Sequence, residues 1–551
     1  MDKRLGLALA ISMGILILWW KIFPPPQPQP SAPPAPAVTQ PASAPAPTTA
    51  GGGATATPTT PGAAPAANAP DHWESLPGTE ADFVLSTWGA TLRQVKVRDR
   101  EKKFTDVQAV RTFTPETAPL LTTFNSKDFS VAGTVPYAVT RTDGGLAFTT
   151  EAAGVVIEKR YRPGPGPYQL LLDIDVSNQR DKPIDESLVL HLFGRQDPAK
   201  KGGSFLSYAS ANLAEMVCFA AEKPERDNID TLNKGQKEFT GTIRWIAADE
   251  KFFTVAAVPQ PDTVGGAQKC LQRAVDGLSG EVLIPFTSRT IAPGQKTSYH
   301  FTVFGGPKYK DALKAVQPGG DDPKLVETVG STYTIIKFLS EPLLALLKIF
   351  HKLTRNWGFA IILLTIFVRL LTFYPQQRTM MSAKKMQKLA PKLAAIRKKY
   401  ENDRQRQGVE TMNLYKAHGV SPLGGCLPAL IQMPIWMALF STLNYAVELH
   451  RSGFLYIHDL SAPDPAYAAP LLMGVVMFLQ MRMSPAGTDP QQQKMMSIMM
   501  PIMFTVFSLF LPAGLAIYTL TSYLIGILQQ LLVNWMDKRR EAAAGPAKAK
   551  T

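Results

Sequence analysis

The sequence has little cysteine and no nucleotide-binding motif. Of 551 residues only Cys218, Cys270 and Cys426 are cysteine, too few and too scattered for a disulfide-rich scaffold or a zinc cluster. Cys218 and Cys270 could pair, but we expect two free, buried thiols. The motif G-x-x-x-x-G-K-[ST] does not occur, so nucleotide hydrolysis is not indicated. We expect no metal site and no cofactor.

Charge is missing from residues 22–70, where 15 residues are proline. Such a segment has almost nothing to bury, so 24–70 is predicted to be a flexible tether. Before it, residues 1–23 have a basic start and an apolar run long enough to span a membrane. A cleaved signal peptide is one interpretation. We favour an uncleaved anchor with its N-terminus in the cytoplasm, because no small-residue cleavage site follows the run.

Residues 71–330 have the pattern of a β-rich soluble domain. Apolar residues alternate with others at Tyr168, Leu170, Leu172, Ile174 and Val176, which is the period of a strand with one buried face. A similar alternation follows at 188–192, and a Pro-Gly turn precedes another apolar stretch at 297–304. About 250 residues with many short strands predict a β-sandwich of some size.

The net charge of +14 is concentrated in short segments beside apolar stretches. Residues 376–422 contain 11 Lys and Arg against 3 Asp and Glu, and the tail 536–551 contains 5 against 2. A nucleic-acid-binding domain would also be basic, but basic loops next to apolar segments are typical of the cytoplasmic side of a membrane protein. We therefore predict that both termini are cytoplasmic.

Five apolar spans are predicted within 354–535, at 357–375, 423–447, 467–483, 495–511 and 513–535. With the first anchor they make six transmembrane helices. Residues 331–353 are amphipathic at helical spacing and carry charges, so we expect a helix in the membrane interface. A core helix of the preceding domain is the alternative.

One cation lies inside the predicted spans. Arg369 belongs to the second span, and the interiors of the later four contain no ionisable residue. Arginine remains charged at any relevant pH, and placing it at the bilayer centre costs about 2.5–3.5 kcal/mol on insertion scales. Its side chain could extend to the inner headgroups. The functional interpretation is a water-containing groove open to the cytoplasm, with Thr365 one turn earlier on the same wall.

The basic loop 376–422 is predicted to be a helical hairpin, because apolar residues from Met386 to Tyr400 follow 3-4 spacing. Glu401–Gly408 is predicted to be the turn, and Pro391 to kink the first arm. The hairpin is either a solvated connector or a docking surface for an anionic partner or a nascent chain. The candidate docking residues are Lys384, Lys385, Lys388, Lys392, Arg397, Lys398 and Lys399.

Methionine is concentrated in the same half of the chain, with 16 of 19 residues after position 373. Flexible thioethers suit surfaces that accept many apolar partners, although methionine is also common in ordinary spans. The predicted substrate-contacting residues on the third and fifth spans are Met433, Pro434, Met437, Met499 and Met503.

Several segments resemble the YidC membrane-protein insertase family in its long Gram-negative form. The segment 420–435, VSPLGGCLPALIQMPI, is similar to the entry of the family's third span, and 456–461 and 512–515 are similar to its later loops. Arg369 with Tyr374-Pro375 resembles its second span and groove arginine. Family members often carry two adjacent tyrosines in the last span, where this chain has Tyr518 followed by Thr519.

The resemblance implies a polytopic α-helical membrane protein with a periplasmic all-β, supersandwich-like domain. It would not be an enzyme but an insertase and chaperone of the bacterial inner membrane, with Arg369, Thr365, Tyr518 and Thr519 in the groove. Implied partners are nascent membrane proteins, the Sec translocon, lipids, and the ribosome at the hairpin and tail. No specific nucleic-acid sequence is expected. A small-solute transporter and a non-insertase assembly scaffold are the alternatives.

Overall fold

A computed structural model of the protein describes residues 71–98, 115–197, 213–264, 266–320, 322–328, 334–401, 403–419, 427–483 and 490–543. The anchor and tether predicted at 1–70, Cys426 and the end of the basic tail lie outside these residues. The described chain consists of a β-rich part followed by a helical part.

The β-rich part contains strands in four antiparallel sheets within the described residues. The strands are β1 (Trp73–Pro77), β2 (Ala81–Ser86), β3 (Thr91–Val97), β4 (Leu121–Phe124), β5 (Ala138–Thr142), β6 (Gly145–Ala152), β7 (Val155–Pro163), β8 (Gln169–Asn178), β9 (Ile184–Glu186), β10 (Leu188–Arg195), β11 (Glu215–Ala220), β12 (Lys223–Asn228), β13 (Lys237–Thr240), β14 (Ile243–Asp249), β15 (Phe253–Pro259), β16 (Lys269–Ala274), β17 (Ser279–Pro285), β18 (Arg289–Ile291) and β19 (Lys296–Pro307).

Two sheets build the sandwich. A nine-stranded sheet has the order β12-β11-β14-β15-β19-β8-β7-β6-β5, and a five-stranded sheet has the order β13-β16-β17-β10-β4. They meet where β11 and β14 lie against β16, β17 and β10, around a core that includes Trp245, Phe301 and Leu190. The all-β domain expected from the sequence is confirmed.

Strand alternation predicts the buried face of β8 correctly. Leu170, Leu172, Ile174 and Val176 are fully buried, and β19 pairs with β8 from Gln169 to Ser177. Tyr168 is also buried, but it precedes the strand and has a left-handed backbone with φ of 59°. Its side chain therefore belongs to the core for a reason other than strand period.

The expectation of two free thiols is wrong. Cys218 on β11 and Cys270 on β16 form a disulfide that joins the nine-stranded sheet to the five-stranded one. Both residues are fully buried. Facing strands of two packed sheets bring the two Cα atoms to 6.6 Å, which is within the range that a disulfide can bridge. The two cysteines are 52 positions apart in the sequence, and this spacing alone does not predict that they meet.

A buried lysine makes the stability of this part depend on pH. The ammonium group of Lys159 on β7 donates to the carbonyls of Gly89 (2.7 Å) and Leu120 (3.1 Å), and burial lowers the pKa of Lys159 to about 7. The ordinary value is 10.5, so between these two pH values the unfolded chain binds more protons than the folded one. The free energy of unfolding should then rise with pH across that window.

We expect the free energy of unfolding of the full-length protein to increase from pH 7 to pH 9 by up to about 1.4 kcal/mol per pH unit, and its denaturant midpoint to rise with it. The Lys159→Met variant should lose this increase, because methionine fills a similar volume without a titratable group. If the free energy of unfolding rose equally with pH in the wild-type protein and in the variant, groups other than Lys159 would cause the pH dependence.

The β-rich part also contains three short helices, α1 (Ile229–Leu232), α2 (Pro261–Val264) and α3 (Lys310–Lys314). The helical part comes after it in the chain. Its helices are α4 (Thr334–Thr354), α5 (Trp357–Lys388), α6 (Ala390–Lys399), α7 (Arg404–Ala417), α8 (Leu427–Tyr445), α9 (Ala468–Met483), α10 (Pro490–Ser508) and α11 (Ala513–Ala543). Among the described residues, Trp357–Lys388 and Ala513–Met536 are long and apolar enough to cross a membrane, and α9 and part of α10 are shorter apolar helices.

The amphipathic segment forms α4, which packs against α5 and α8. Leu347 is fully buried in the core of the helical part, whereas Phe338 and Leu353 are each 76% exposed. The helix therefore belongs with the helical core and not, as the alternative would have it, with the core of the β-rich part. Its other face is apolar and open.

Helix α5 is longer than the predicted span, since it continues through Pro375 to Lys388. The break comes at Leu389, and Pro391 lies in the first turn of α6, where proline is tolerated because no intrahelical donor is lost. The second arm α7 already begins at Arg404, capped by Asp403, whose carboxylate accepts from the Arg406 amide at 2.9 Å. The predicted turn at 401–408 is thus too long.

Candidate functional site

Arg369 lies half-buried on the face of α5 that meets α11. Its Nε donates to the hydroxyl of Ser522 at 2.8 Å, and its Nη1 donates to the side-chain oxygen of Gln376 at 3.0 Å. In the described part of the chain, Arg369 makes no ion pair with a carboxylate. A full positive charge is thus held among apolar helices by neutral oxygens.

The hydrogen bonds continue along α5. The side-chain nitrogen of Gln376 donates to the Thr372 hydroxyl at 3.2 Å, and that hydroxyl donates to the Val368 carbonyl at 2.9 Å. Thr372 and Gln376 are each 7% exposed. Residues 369, 372 and 376 lie on one helical face, so this wall of α5 is polar over two turns.

A second polar contact connects α8 to α11. The side-chain nitrogen of Gln432 donates to the hydroxyl of Tyr518 at 3.0 Å. Tyr518 lies one helical turn before Ser522, and both are buried. Since Ser522 accepts from Arg369, three helices contribute polar side chains to one region.

The two threonines predicted in the groove have satisfied hydroxyls. Thr365 is fully buried and donates to the Ile361 carbonyl, and Thr519 donates to the Leu515 carbonyl, each at 2.7 Å. Both bonds are to the preceding turn of their own helix. Thr365 and Thr519 therefore lie near Arg369 and Tyr518 along their helices but use their donors locally.

The structure separates the predicted methionines into two groups. Met433 and Met437 on α8 are half-buried, with Pro434 between them exposed. Met499 and Met503 on α10 are 60% and 56% exposed. Helix α10 packs on α9 rather than on α5, so its methionines form an outer apolar surface and not a part of the Arg369 wall.

The basic hairpin is formed by α6 and α7, whose small core contains Leu389, Leu393 and Tyr415. Most of the predicted docking cations are exposed, and Lys384 and Arg397 are half-buried. Lys392 lies 3.2 Å from the ring of His418. The exposed residues are Lys385, Lys388, Lys392, Lys398 and Lys399.

Sequence reasoning missed Ser522, Gln376 and Gln432. Each is a polar residue within or beside an apolar run, and Gln376 is seven residues, or two turns, from Arg369. That spacing was a usable signal for Gln376. Ser522 is 153 residues from Arg369, and only the packing of α11 on α5 brings them together.

The β-rich part contacts the end of α8 and the segment that follows it. The ammonium group of Lys251 donates to the side-chain oxygen of Asn444 at 2.7 Å, and the rings of Phe252 and His450 stack with centroids 4.4 Å apart. Val447 belongs to the core of the β-rich part. Burial lowers the pKa of Lys251 to about 8, although the charge of Asp459 opposes the shift.

Comparison with known families assigns both parts of the chain. The model of the YidC periplasmic domain matches residues 82–346, and that of the 60Kd inner membrane protein matches residues 349–540. The membrane protein insertase YidC of Anaeromyxobacter sp. (strain Fw109-5) is 34% identical over 100% of this chain and 99% of its own. The chain belongs to the YidC membrane protein insertase family. The resemblance found in the sequence is confirmed.

The chain is also similar to a further curated relative and to solved structures. The insertase of Geotalea uraniireducens is 33% identical over 97% of this chain and 99% of its own. A crystal structure of an active YidC insertase with its first transmembrane domain resolved is 18% identical, covers 84% of this chain and 92% of its own, and has a TM-score of 0.35. A galactose mutarotase-like protein from Lactobacillus casei covers 42% of this chain and 100% of its own, at 11% identity and a TM-score of 0.33.

As a YidC family member, the protein is an insertase whose clients are newly made membrane proteins. Members of this family are inner membrane proteins with a periplasmic domain. The solute-transporter and scaffold alternatives are therefore rejected. The β-rich part, which contains most of 82–346, is the periplasmic domain.

Proposed function

We propose that α5, α8 and α11 border a hydrated groove in which Arg369 receives the polar segment of a membrane-protein client. The observation that supports this most is the guanidinium of Arg369, held by the neutral oxygens of Ser522 and Gln376. A charge in such a place is costly unless water or an anionic ligand also solvates it. A client carboxylate would supply the missing counter-charge.

The groove shortens the path over which a polar segment crosses hydrocarbon. Moving an unpaired polar group into an apolar medium costs several kcal/mol, and in lipid no water satisfies it. The Gln432–Tyr518 pair and the wall from Thr372 to Gln376 offer further hydrogen bonds at this level. The client's apolar helix would then leave along the half-buried methionines of α8 and the exposed methionines of α10 into lipid, which is a chaperone-like role.

The proposed topology has six spans, the first at 1–23 and the others at α5, α8, α9, α10 and α11. Both termini and the α6–α7 hairpin would be cytoplasmic, because basic loops remain on that side. Residues 24–70 would tether the periplasmic domain to the first span, and α4 would lie in the outer interface.

Thiol labelling tests this topology. A cysteine at Gly408, exposed on α7, should react only with an impermeant reagent added from the cytoplasm, and one at His458, exposed in the loop after α8, only from the periplasm. Each variant carries Cys426→Ser, since Cys218 and Cys270 are already paired. Reaction of both positions from one side would contradict the six-span arrangement.

The hairpin and the basic tail would dock the ribosome, and the insertase would act alone or beside the Sec translocon. Three exposed lysines on the hairpin (Lys392, Lys398 and Lys399) and two at the adjoining end of α5 (Lys385 and Lys388) form a positive surface that suits the phosphates of ribosomal RNA. The groove itself is tested by insertion of paired client reporters, with neutral or acidic translocated tails, by variants at Arg369.

A further inference from the structure

A two-residue turn after α8 carries an apolar tip. The amide of Phe454 donates to the Ile457 carbonyl at 2.8 Å and the amide of Ile457 donates back to the Phe454 carbonyl at 3.0 Å, so Leu455 and Tyr456 form the turn. Leu455 is 82% exposed, more than any other large apolar side chain in the described residues. The inner residues Phe454 and Ile457 are buried.

Leu455 also has an unfavourable backbone. Its φ is 53°, a left-handed value that glycine or asparagine adopts readily and a branched apolar residue does not. Turns of this kind favour glycine. In water, a leucine at the tip therefore has two costs. One is its left-handed backbone, and the other is the exposure of its apolar side chain.

The turn is fixed against the first turn of α5. Phe454 packs so closely on Gly358 that a Cβ atom there would lie 2.1 Å from its ring. The ring of Phe359 meets that of Phe454 edge-on, with centroids 5.3 Å apart. Asn356 caps α5 through the amides of Gly358 and Phe359. The tip thus lies at the level where the α5 span begins.

The same turn is tied to the start of α9. The hydroxyl of Tyr456 donates to the carboxylate of Asp464 at 2.7 Å, and that carboxylate also accepts from the amides of Ala466 (3.0 Å) and Ala469 (2.8 Å). The ring of Tyr456 remains 42% exposed. A tyrosine with a satisfied hydroxyl and an open ring is typical of the membrane–water interface.

Further large apolar side chains are exposed on α4, α5 and α9. Phe359 on the first turn of α5 is 52% exposed, Leu353 near the end of α4 is 76% exposed, and Leu471 and Leu472 on α9 are 56% and 52% exposed. In the proposed topology α5 and α9 cross the membrane and α4 lies in its outer interface, so lipid rather than protein would cover these side chains.

We propose that the Leu455–Tyr456 tip inserts into the outer leaflet of the inner membrane and holds the periplasmic ends of α5 and α9 at the bilayer surface. This inference depends on the proposed topology. It adds a lipid contact outside the helical spans, made by a loop whose other side receives the periplasmic domain at His450.

Spin-label accessibility tests the lipid contact. The full-length protein with Cys426→Ser and Leu455→Cys is labelled with a nitroxide and placed in bilayer nanodiscs. The relaxation of the label by oxygen, which concentrates in hydrocarbon, and by a water-soluble nickel chelate is then measured separately. Each value gives the accessibility of position 455 to that reagent. Val275→Cys is the matched control in water, since Val275 is a 47% exposed apolar residue of the periplasmic domain, and Leu370→Cys, 68% exposed on α5, is the control in lipid.

The ratio of oxygen to nickel accessibility at 455 should be several-fold above that at 275 and close to that at 370. A ratio equal to that at 275 would place the tip in water, and protection from both reagents would place it against protein; either result overturns the proposal. The control at 370 reports separately on whether α5 is embedded. A water-like result there would refute the proposed topology itself.

Discussion

Replacing Arg369 with alanine should slow the insertion of clients with an acidic translocated tail about tenfold and change neutral-tailed clients much less. Two unit charges about 4 Å apart interact by about 4 kcal/mol at an effective dielectric constant near 20. If about a third of this interaction lowers the barrier, its loss gives a tenfold slower step. Insertion of both reporters at equal expression of the two proteins measures the effect.

The Arg369→Lys variant is the matched control, because it preserves the charge and loses the fork that contacts Ser522 and Gln376. In a hydrated groove it should retain most insertion of acidic-tailed clients. If Arg369 only extends to headgroups, alanine should be almost harmless for both reporters. If the Arg369→Ala variant inserted both reporters at the wild-type level, Arg369 would serve only as an interfacial anchor.

Removing the disulfide should destabilise the periplasmic domain by about 4 kcal/mol. The bond closes a loop between residues 52 positions apart, and a loop of that length restricts the unfolded chain by roughly this amount. The double variant Cys218→Ala with Cys270→Ala should therefore unfold at a much lower denaturant concentration. The periplasm is oxidising, so the bond can persist there.

Adding a reductant distinguishes the effect of the disulfide bond on stability from the effect of the packing of its sulfur atoms. A reductant should shift the midpoint of the wild-type protein toward that of the double alanine variant and leave the variant unchanged. If neither reduction nor the double substitution moved the midpoint, the bond would have no part in holding the two sheets together.

The β-rich and helical parts were predictable from periodicity, because a strand such as β8, with apolar residues at every second position, shows its period of two directly. Helix ends were harder to predict, since the span predicted to end at Pro375 continues to Lys388. Pro375, Pro434 and Pro501 lie inside α5, α8 and α10, where neighbouring helices and side chains tolerate the missing hydrogen bond. Helix ends therefore had to come from the structure.

Arg369 was visible in the sequence as a charge in an apolar run, but its surroundings were not. The contact with Ser522 depends on how α11 packs against α5, and the pairing of Cys218 with Cys270 depends on how two sheets face each other. Such contacts join residues far apart in the chain. No local pattern encodes them.

The most direct test of the groove is chemical restoration of its charge. Arg369→Cys with Cys426→Ser would be treated in inverted membrane vesicles with a trimethylammonioethyl methanethiosulfonate, which is cationic and impermeant, or with its neutral methyl analogue. Leu370→Cys, one residue away on the exposed side of α5, is the control for a thiol in lipid. We predict that the thiol at 369 reacts from the cytoplasmic face, that the one at 370 does not, and that only the cationic adduct at 369 restores insertion of the acidic-tailed client. An unreactive thiol at 369, or equal restoration by the neutral adduct, would contradict a hydrated groove whose charge receives the client.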